Sequence, residues 1–453
     1  MSTSNLSKEN RMGNMPVTRL LVSMSLPIMV SMFVMALYNI VDSIFVSMIS
    51  EEALTAVSIA FPLQTLAMAF GIGTSVGVGA VLSMRLGEKN QEAVNKTAVN
   101  GIFLGICNYI GFAVIVFPLL RAYFSTQTSD ERIIAYGVEY MQIIVVLGLG
   151  TFLGTMFDRL LQSTGRTFYT MITQITGALT NIILDPILIF GIGPFPKMGM
   201  QGAALATVIG QILGGILSFI FNMRFNNDIK FKFKKFRPDG TIILHIYKIA
   251  VPTILMQSIN SITTYGMNLV LGIFSSTAIA VYGVYFKLNS FIFMPVFGLN
   301  NGMIPIIAFN YGAKQRSRII KTIKSALSLS LLIMTIGVIL FETAPAALLK
   351  LFNASNAMLE IGIPALRTIA PSFFGAAFAI ILISVFQALG NAVYSMLISF
   401  TRQLIVLLPI AYLLSFTGKI DNVWFCFIIA EVISLLCCFL FLRRIYNKKL
   451  RNM

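Results

Sequence analysis

Twelve predominantly apolar stretches, each about the 20 residues or more that a helix needs to cross a bilayer, dominate this chain of 453 residues. They run over roughly 21–49, 53–84, 94–119, 133–157, 168–191 and 199–223, then 242–274, 277–309, 319–342, 359–388, 393–416 and 422–442. None shows the alternation of apolar and polar residues that a membrane barrel strand requires. Closely spaced Gly and Pro interrupt several, which membrane helices tolerate when neighbours satisfy the freed backbone groups. Composition closes off the alternatives. Hydrophobic residues make up 57% and charged residues only 11%, whereas a soluble domain carries about 25% charged residues. A water-soluble enzyme, a nucleic-acid-binding module and a disordered protein are all excluded. The sequence predicts an all-α polytopic membrane protein.

The net charge of +16 resembles a nucleic-acid footprint until its placement is followed. With the N-terminus placed in the cytoplasm, 25 Lys and Arg fall in inside segments and six outside, with Lys287 and Arg402 within spans. That asymmetry predicts cytoplasmic N- and C-termini. Residues 1–19 lack the short apolar core and small-residue cleavage site of a cleavable signal peptide.

The chain repeats itself at an offset of 225 residues. Pro27 pairs with Pro252, Gly73 with Gly298, Gly77 with Gly302, Gly87 with Gly312 and Lys89 with Lys314, and Lys96-Thr97 meets Lys321-Thr322. Further on, Gln162 meets Gln387 and Gly165 meets Gly390. Over 27–97 there are 11 identities in 71 positions, and the agreement in loop residues carries the case. Six spans per half make both halves enter from the same side. Two six-helix bundles related by an axis along the membrane normal are therefore expected. The expected division is a cytoplasmic N-terminus at 1–20, a first bundle at 21–224, a basic cytoplasmic linker at 225–241, a second bundle at 242–444 and a basic tail at 445–453.

Ionisable residues at membrane depth are costly and point to function. Asp42 lies in the outer half of the first span, with Tyr38 one turn earlier on the same face. Asp185 lies in the outer half of the fifth span, with Asn181 at i−4 and Gln174 two turns further back. Thr207 reaches a similar depth from the sixth span. Two carboxylates, an amide and a hydroxyl suit a proton or a hard cation such as Na⁺. Close, dry carboxylates cannot both carry full charge, which favours a shared proton. The plainer reading is that each polar residue separately meets a backbone group. At the 225 offset the set maps to Met267, Val406, Ile410 and Val432, so the ion site is assigned to the first half alone.

The second half carries Lys287, Arg402 and Glu431 at membrane depth. Lys287 is expected against the cavity, snorkelling, or paired with Glu431. Pro27, Met35, Tyr38, Gln64, Gln174, Gln211 and Lys287 are the candidate cavity or gating positions. Cys107, Cys426, Cys437 and Cys438 sit in apolar runs without metal-ligand spacing, and His245 stands at the start of a span. No G-x-x-x-x-G-K-[ST] loop occurs, so neither a nucleotide nor any other cofactor is expected. No nucleophile and base constellation suggests an enzyme.

VDSIFVSMISEEALTAVSIAFPLQTLAMAFGIGTSVGVGAVLSMRLGEKN, LLQSTGRT and NIILDPILIFGIGPFPKMGMQGAALATVIGQ strongly resemble the multidrug and toxic compound extrusion (MATE) family, in order and at the expected intervals over nearly the whole chain. The resemblance implies two six-helix bundles around a central cavity, and export of amphipathic, mainly cationic compounds driven by inward flow of H⁺ or Na⁺. It implies a multi-pass protein of a bacterial-type cell membrane that works as a monomer, with small-molecule substrates and lipids as partners and no nucleic acid. It implies that Asp42, Asn181 and Asp185 form the coupling site, with Thr207 as the sixth-span hydroxyl and Pro27 at a bend in the first helix. Family branches with carboxylates in spans seven, eight or ten are not matched, since Gln257, Lys287, Asn300 and Asn301 stand in those regions. The second reading is a flippase for lipid-linked sugars or polysaccharides, which needs a larger and more basic cavity for pyrophosphate.

Overall fold

The computed structural model describes residues 11–231, 236–352, 354–451 and 453. The expectations for residues 1–10, Lys8 among them, and for 232–235 of the basic linker lie outside these residues. Among the described residues the chain is helical, with no strand. The spanning helices are α1 (Val17–Ser47), α2 (Glu51–Gly87), α3 (Gln91–Gln127), α4 (Glu131–Val146 with Leu149–Ser163), α5 (Thr167–Phe190) and α6 (Met200–Phe225). They continue as α7 (Gly240–Gly272), α8 (Ser276–Gly312), α9 (Arg316–Thr343), α10 (Asn356–Ile369 with Ser372–Ala388), α11 (Ala392–Ser415) and α12 (Ile420–Leu450). Ten are long and apolar enough to span unbroken, and two are pairs bent by 49° in α4 and 52° in α10. Each matches one apolar stretch of the sequence.

The repeat recurs in local geometry. Ser50 and Ser275 stand at the equivalent helix starts, and each hydroxyl accepts from the backbone N–H three residues on, at 3.1 Å. Lys89 and Lys314 both adopt the left-handed region, at φ 57° and 55°. That turn lets Asn90 N–H reach the carbonyl of Arg85, and Gln315 N–H that of Asn310, closing the ends of α2 and α8 identically. Gly165 and Gly390 (φ 83° and 74°) do the same after α4 and α10. An N-cap serine is worth about 1 kcal/mol. Ser50→Ala and Ser275→Ala are therefore each expected to lower stability by about that amount, read as equal shifts in thermal unfolding of the detergent-solubilised protein.

By contacts the chain forms two compact units: Val30–Ile254, and Met1–Met29 with Leu255–Met453. The two breaks fall 225 residues apart, each shortly after the proline of α1 or α7. In the first-half unit, Val30–Ile254, the start of α7 lies on α2. A Cβ on Gly77 would stand 2.6 Å from the Ile246 carbonyl oxygen, so only glycine permits this approach. The core at the other end of this unit gathers Phe112, Phe124, Tyr140, Met141 and Phe152. In the second-half unit the start of α1 lies on α8 in the equivalent way, with Gly302 against Ser25. That unit's core is built on Phe341, Phe373 and the fully buried Trp424. Large apolar side chains such as Val114, Ile115, Leu436 and Leu440 lie on the outside, as only lipid allows.

The described residues between α6 and α7 are tied down at three points. Lys230 N–H bonds Asn95 Oδ1 (2.7 Å), Asp239 N–H bonds Asn100 Oδ1 (3.0 Å), and Arg166 pairs with Asp228 (3.3 Å).

Candidate ion-coupling site

Small residues set the spacing of α4, α5 and α6. A Cβ on Gly210 would stand 2.6 Å from the Gly177 carbonyl oxygen and 3.4 Å from the Asn181 Cβ. A Cβ on Gly202 would stand 2.6 Å from the Leu188 carbonyl, and Gly154 lies against Gly215. Glycines here allow the close backbone approach that membrane helices use in place of a hydrophobic driving force.

That approach brings the four expected ion-site residues together inside the first-half unit. Asn181 Nδ2 donates to Thr207 Oγ1 across the α5–α6 seam (3.2 Å) and makes a long contact to Asp185 Oδ1 (3.5 Å). The Asp42 carboxyl from α1 faces that of Asp185 closely enough for the two to interact directly. Asp185 is fully buried, and Asp42, Asn181 and Thr207 are 8%, 2% and 6% exposed. Tyr38 adjoins Thr207 and both carboxyls, and Gln64 donates to the Tyr140 hydroxyl (3.1 Å), which stands over the same cluster.

The electrostatics of this cluster are one-sided. Among the described residues no Lys, Arg or His acts on the Asp42–Asp185 pair. Asp42 Oδ1, Asn181 Oδ1 and Asp185 Oδ2 are buried without a hydrogen-bond partner. A buried oxygen left in that state costs about 1–3 kcal/mol, and more when charged. Protonation, or a bound cation, removes that cost. The second-half unit shows the opposite arrangement. Its buried acid, Glu431, holds Arg402 at 3.0 Å, with side chains 13% and 20% exposed. Glu431 has its countercharge beside it, and among the described residues the Asp42–Asp185 pair has none.

Other candidates fall elsewhere. Met35 and Pro27 lie half-buried on α1, Pro27 in the part assigned to the second-half unit. Gln174 and Gln211 stand away from the carboxyl pair: Gln174 donates to Asp158 (3.1 Å), and Gln211 accepts from Thr151. The pairing of Lys287 with Glu431 is corrected: Glu431 is taken by Arg402 of the adjacent α11, whose planar fork suits a carboxylate. Lys287 is exposed, its ammonium 5.8 Å from the Phe352 ring centre. Arg159, one of the 25 basic residues assigned to inside segments, is a buried residue of α4.

Two residues escaped the sequence reading. Asp158 lies inside α4, which continues to Ser163, past the end of the apolar run at 157. Helical periodicity carried one turn further would have found it. Tyr140 gave no signal beyond being a tyrosine in an apolar stretch.

A family model described as MatE matches residues 27–187 and 252–413. A protein named multidrug export protein MepA, from Staphylococcus haemolyticus, is 25% identical over 437 residues, covering 96% of this chain and 94% of its own. A protein named FAD transporter, from Shewanella oneidensis, is 26% identical over 441 residues, covering 95% of each. Among solved structures, the outward-facing conformation of a multidrug resistance MATE family transporter superposes with a TM-score of 0.92 at 21% identity, covering 99% of this chain and 100% of that one.

Proposed function

The chain belongs to the MatE family, and from that premise we propose that it is a secondary active exporter of amphipathic, often cationic compounds, exchanging them for H⁺ or Na⁺. As a family member it is a multi-pass membrane transporter and not an enzyme. One relative is named for multidrug export and another for FAD transport, and the former supports drug-like cargo.

The observation that carries the coupling is the Asp42–Asp185 pair, buried with no cation of the described residues against it. An arriving H⁺ or Na⁺ supplies the missing positive charge. It can drive a transition only if the two access states bind it with different affinity. A buried pair that is dry in one state and open in the other meets that condition, because desolvation raises the cost of an uncompensated charge. Both termini lie in the cytoplasm of a bacterial cell in this reading, and one chain suffices.

The flippase alternative needs free basic groups for a pyrophosphate, and Arg402 is committed to Glu431. The test is efflux of ethidium, a planar amphipathic cation, from proteoliposomes under separately imposed pH and Na⁺ gradients. One of the two gradients is expected to drive efflux. Efflux indifferent to both would overturn the proposal.

A further inference from the structure

Asp158 is a second carboxylate within the first-half unit, away from the pair described above. It is partly buried on α4. The Thr173 hydroxyl donates to its Oδ1 (2.8 Å) and the Gln174 amide to its Oδ2 (3.1 Å), both from α5. From α6 the fully buried Ser218, whose Oγ has no hydrogen-bond partner, is turned to the same carboxyl. The charge bearing on it is that of Arg159, next in the chain. Among the described residues α2 and α3, which also pack on α4, bring no charged group against it.

Polar groups lead from the acid pair to this carboxylate. Asn181 bonds Thr207. One turn on along α6, Gln211 accepts from the Thr151 hydroxyl of α4. Thr155, a turn further, donates to the Thr151 carbonyl, and Asp158 follows three residues later. Beyond Asp158 the same face of α6 carries Ser218 and Asn222, and Asn226 just past its end bonds Asn222 Oδ1 through Nδ2 (3.0 Å). This continues to the end of the unit that bears Arg166 and Arg224. From Asn181 to Gln174 is seven residues of α5, about 10 Å of helix rise.

We propose that Asp158, held by Thr173 and Gln174 with Ser218 turned toward it, is a proton-binding station that relays the coupling proton from the Asp42–Asp185 pair along the α4–α6 seam to the basic end of the bundle. The proposal rests on the coupling reading above and adds the route. A proton leaving the acid pair leaves a carboxylate behind, crosses the polar α4–α6 seam, where Thr207, Thr151 and Thr155 place hydroxyls able to both accept and donate, and neutralises Asp158. From there it is released to the basic side, and Asp158 is again a carboxylate. Such a route moves protons within one bundle and leaves the substrate path free.

The test uses full-length protein in proteoliposomes with ethidium, comparing efflux driven by a pH gradient with gradient-free ethidium exchange. D158N is expected to slow driven efflux about tenfold or more while exchange stays within about twofold, and D158E to restore the driven rate. T151V, which removes a relay hydroxyl without touching the carboxylate, is expected to slow driven efflux several-fold. It carries the test if D158N does not fold. Wild-type driven efflux in D158N, or equal loss of both rates in the folded variant, would overturn the relay. D42N run alongside separates the two readings: lost drive in D42N with normal drive in D158N removes the relay alone, while normal drive in D42N removes the coupling site itself. Efflux driven by Na⁺ with no proton movement would also remove the relay and keep the site.

Discussion

Asp42→Asn is expected to abolish gradient-driven efflux while the protein still folds and elutes as the wild type does. Asparagine keeps the shape of aspartate, so the packing of α1 is retained. What it removes is one of two buried carboxylates that no cation among the described residues balances. A hydrogen bond to a charged group is worth about 1.5–3 kcal/mol, so the affinity for the coupling ion should fall about 10- to 100-fold, and the ion can no longer bias the two access states. Folded-state stability should hold or rise, since the change relieves repulsion with Asp185. Initial rates of ethidium efflux, together with thermal unfolding of the same sample, read both parts. Wild-type efflux in a folded Asp42→Asn protein would remove the site.

Gly210→Val is expected to be strongly damaging to the first-half unit. The new Cβ alone would meet the Gly177 carbonyl oxygen at 2.6 Å, and the added methyls would press on Asn181. Backbone cannot move aside as a flexible side chain can, so α5 and α6 must part. Overpacking of this kind costs about 1–3 kcal/mol, and here it also severs the Asn181–Thr207 bond that places the amide. Lowered thermal stability and loss of driven efflux are both expected. Gly111→Ala is the control: nothing lies within 4 Å of the position, and replacing a helical glycine gains up to about 1 kcal/mol. Equal behaviour of the two variants would contradict the account of the seam.

The spans and the 225-residue repeat were legible in the sequence because hydropathy and glycine placement are local signals. The same signals located Asp42, Asn181, Asp185 and Thr207, since a helix fixes depth and face at 1.5 Å per residue. What lay beyond reach were relations between helices. The sequence shows Arg402, Glu431 and Lys287 as three isolated charges, and only the packing of α11 on α12 decides which two pair. Asp158 was hidden by a boundary. Charges at 158 and 159 ended the apolar run, while the α4 helix continued through both and buried Arg159. The contact boundaries at Met29 and Ile254 likewise divide α1 and α7 within their apolar runs, where hydropathy alone marks no division.

The buried acids Glu431 and Asp42–Asp185 differ in their countercharge. Glu431 has its arginine, and Asp42 with Asp185 has no partner of opposite sign among the described residues. The most direct measurement counts ions: in proteoliposomes loaded with ethidium, the H⁺ or Na⁺ entering per dye molecule leaving, for wild type, Asp42→Asn and Asp185→Asn. Wild type is expected to move one of the two ions inward in step with the dye, and neither variant to move any. Ion entry in step with dye in both variants, at the wild-type ratio, would contradict the account.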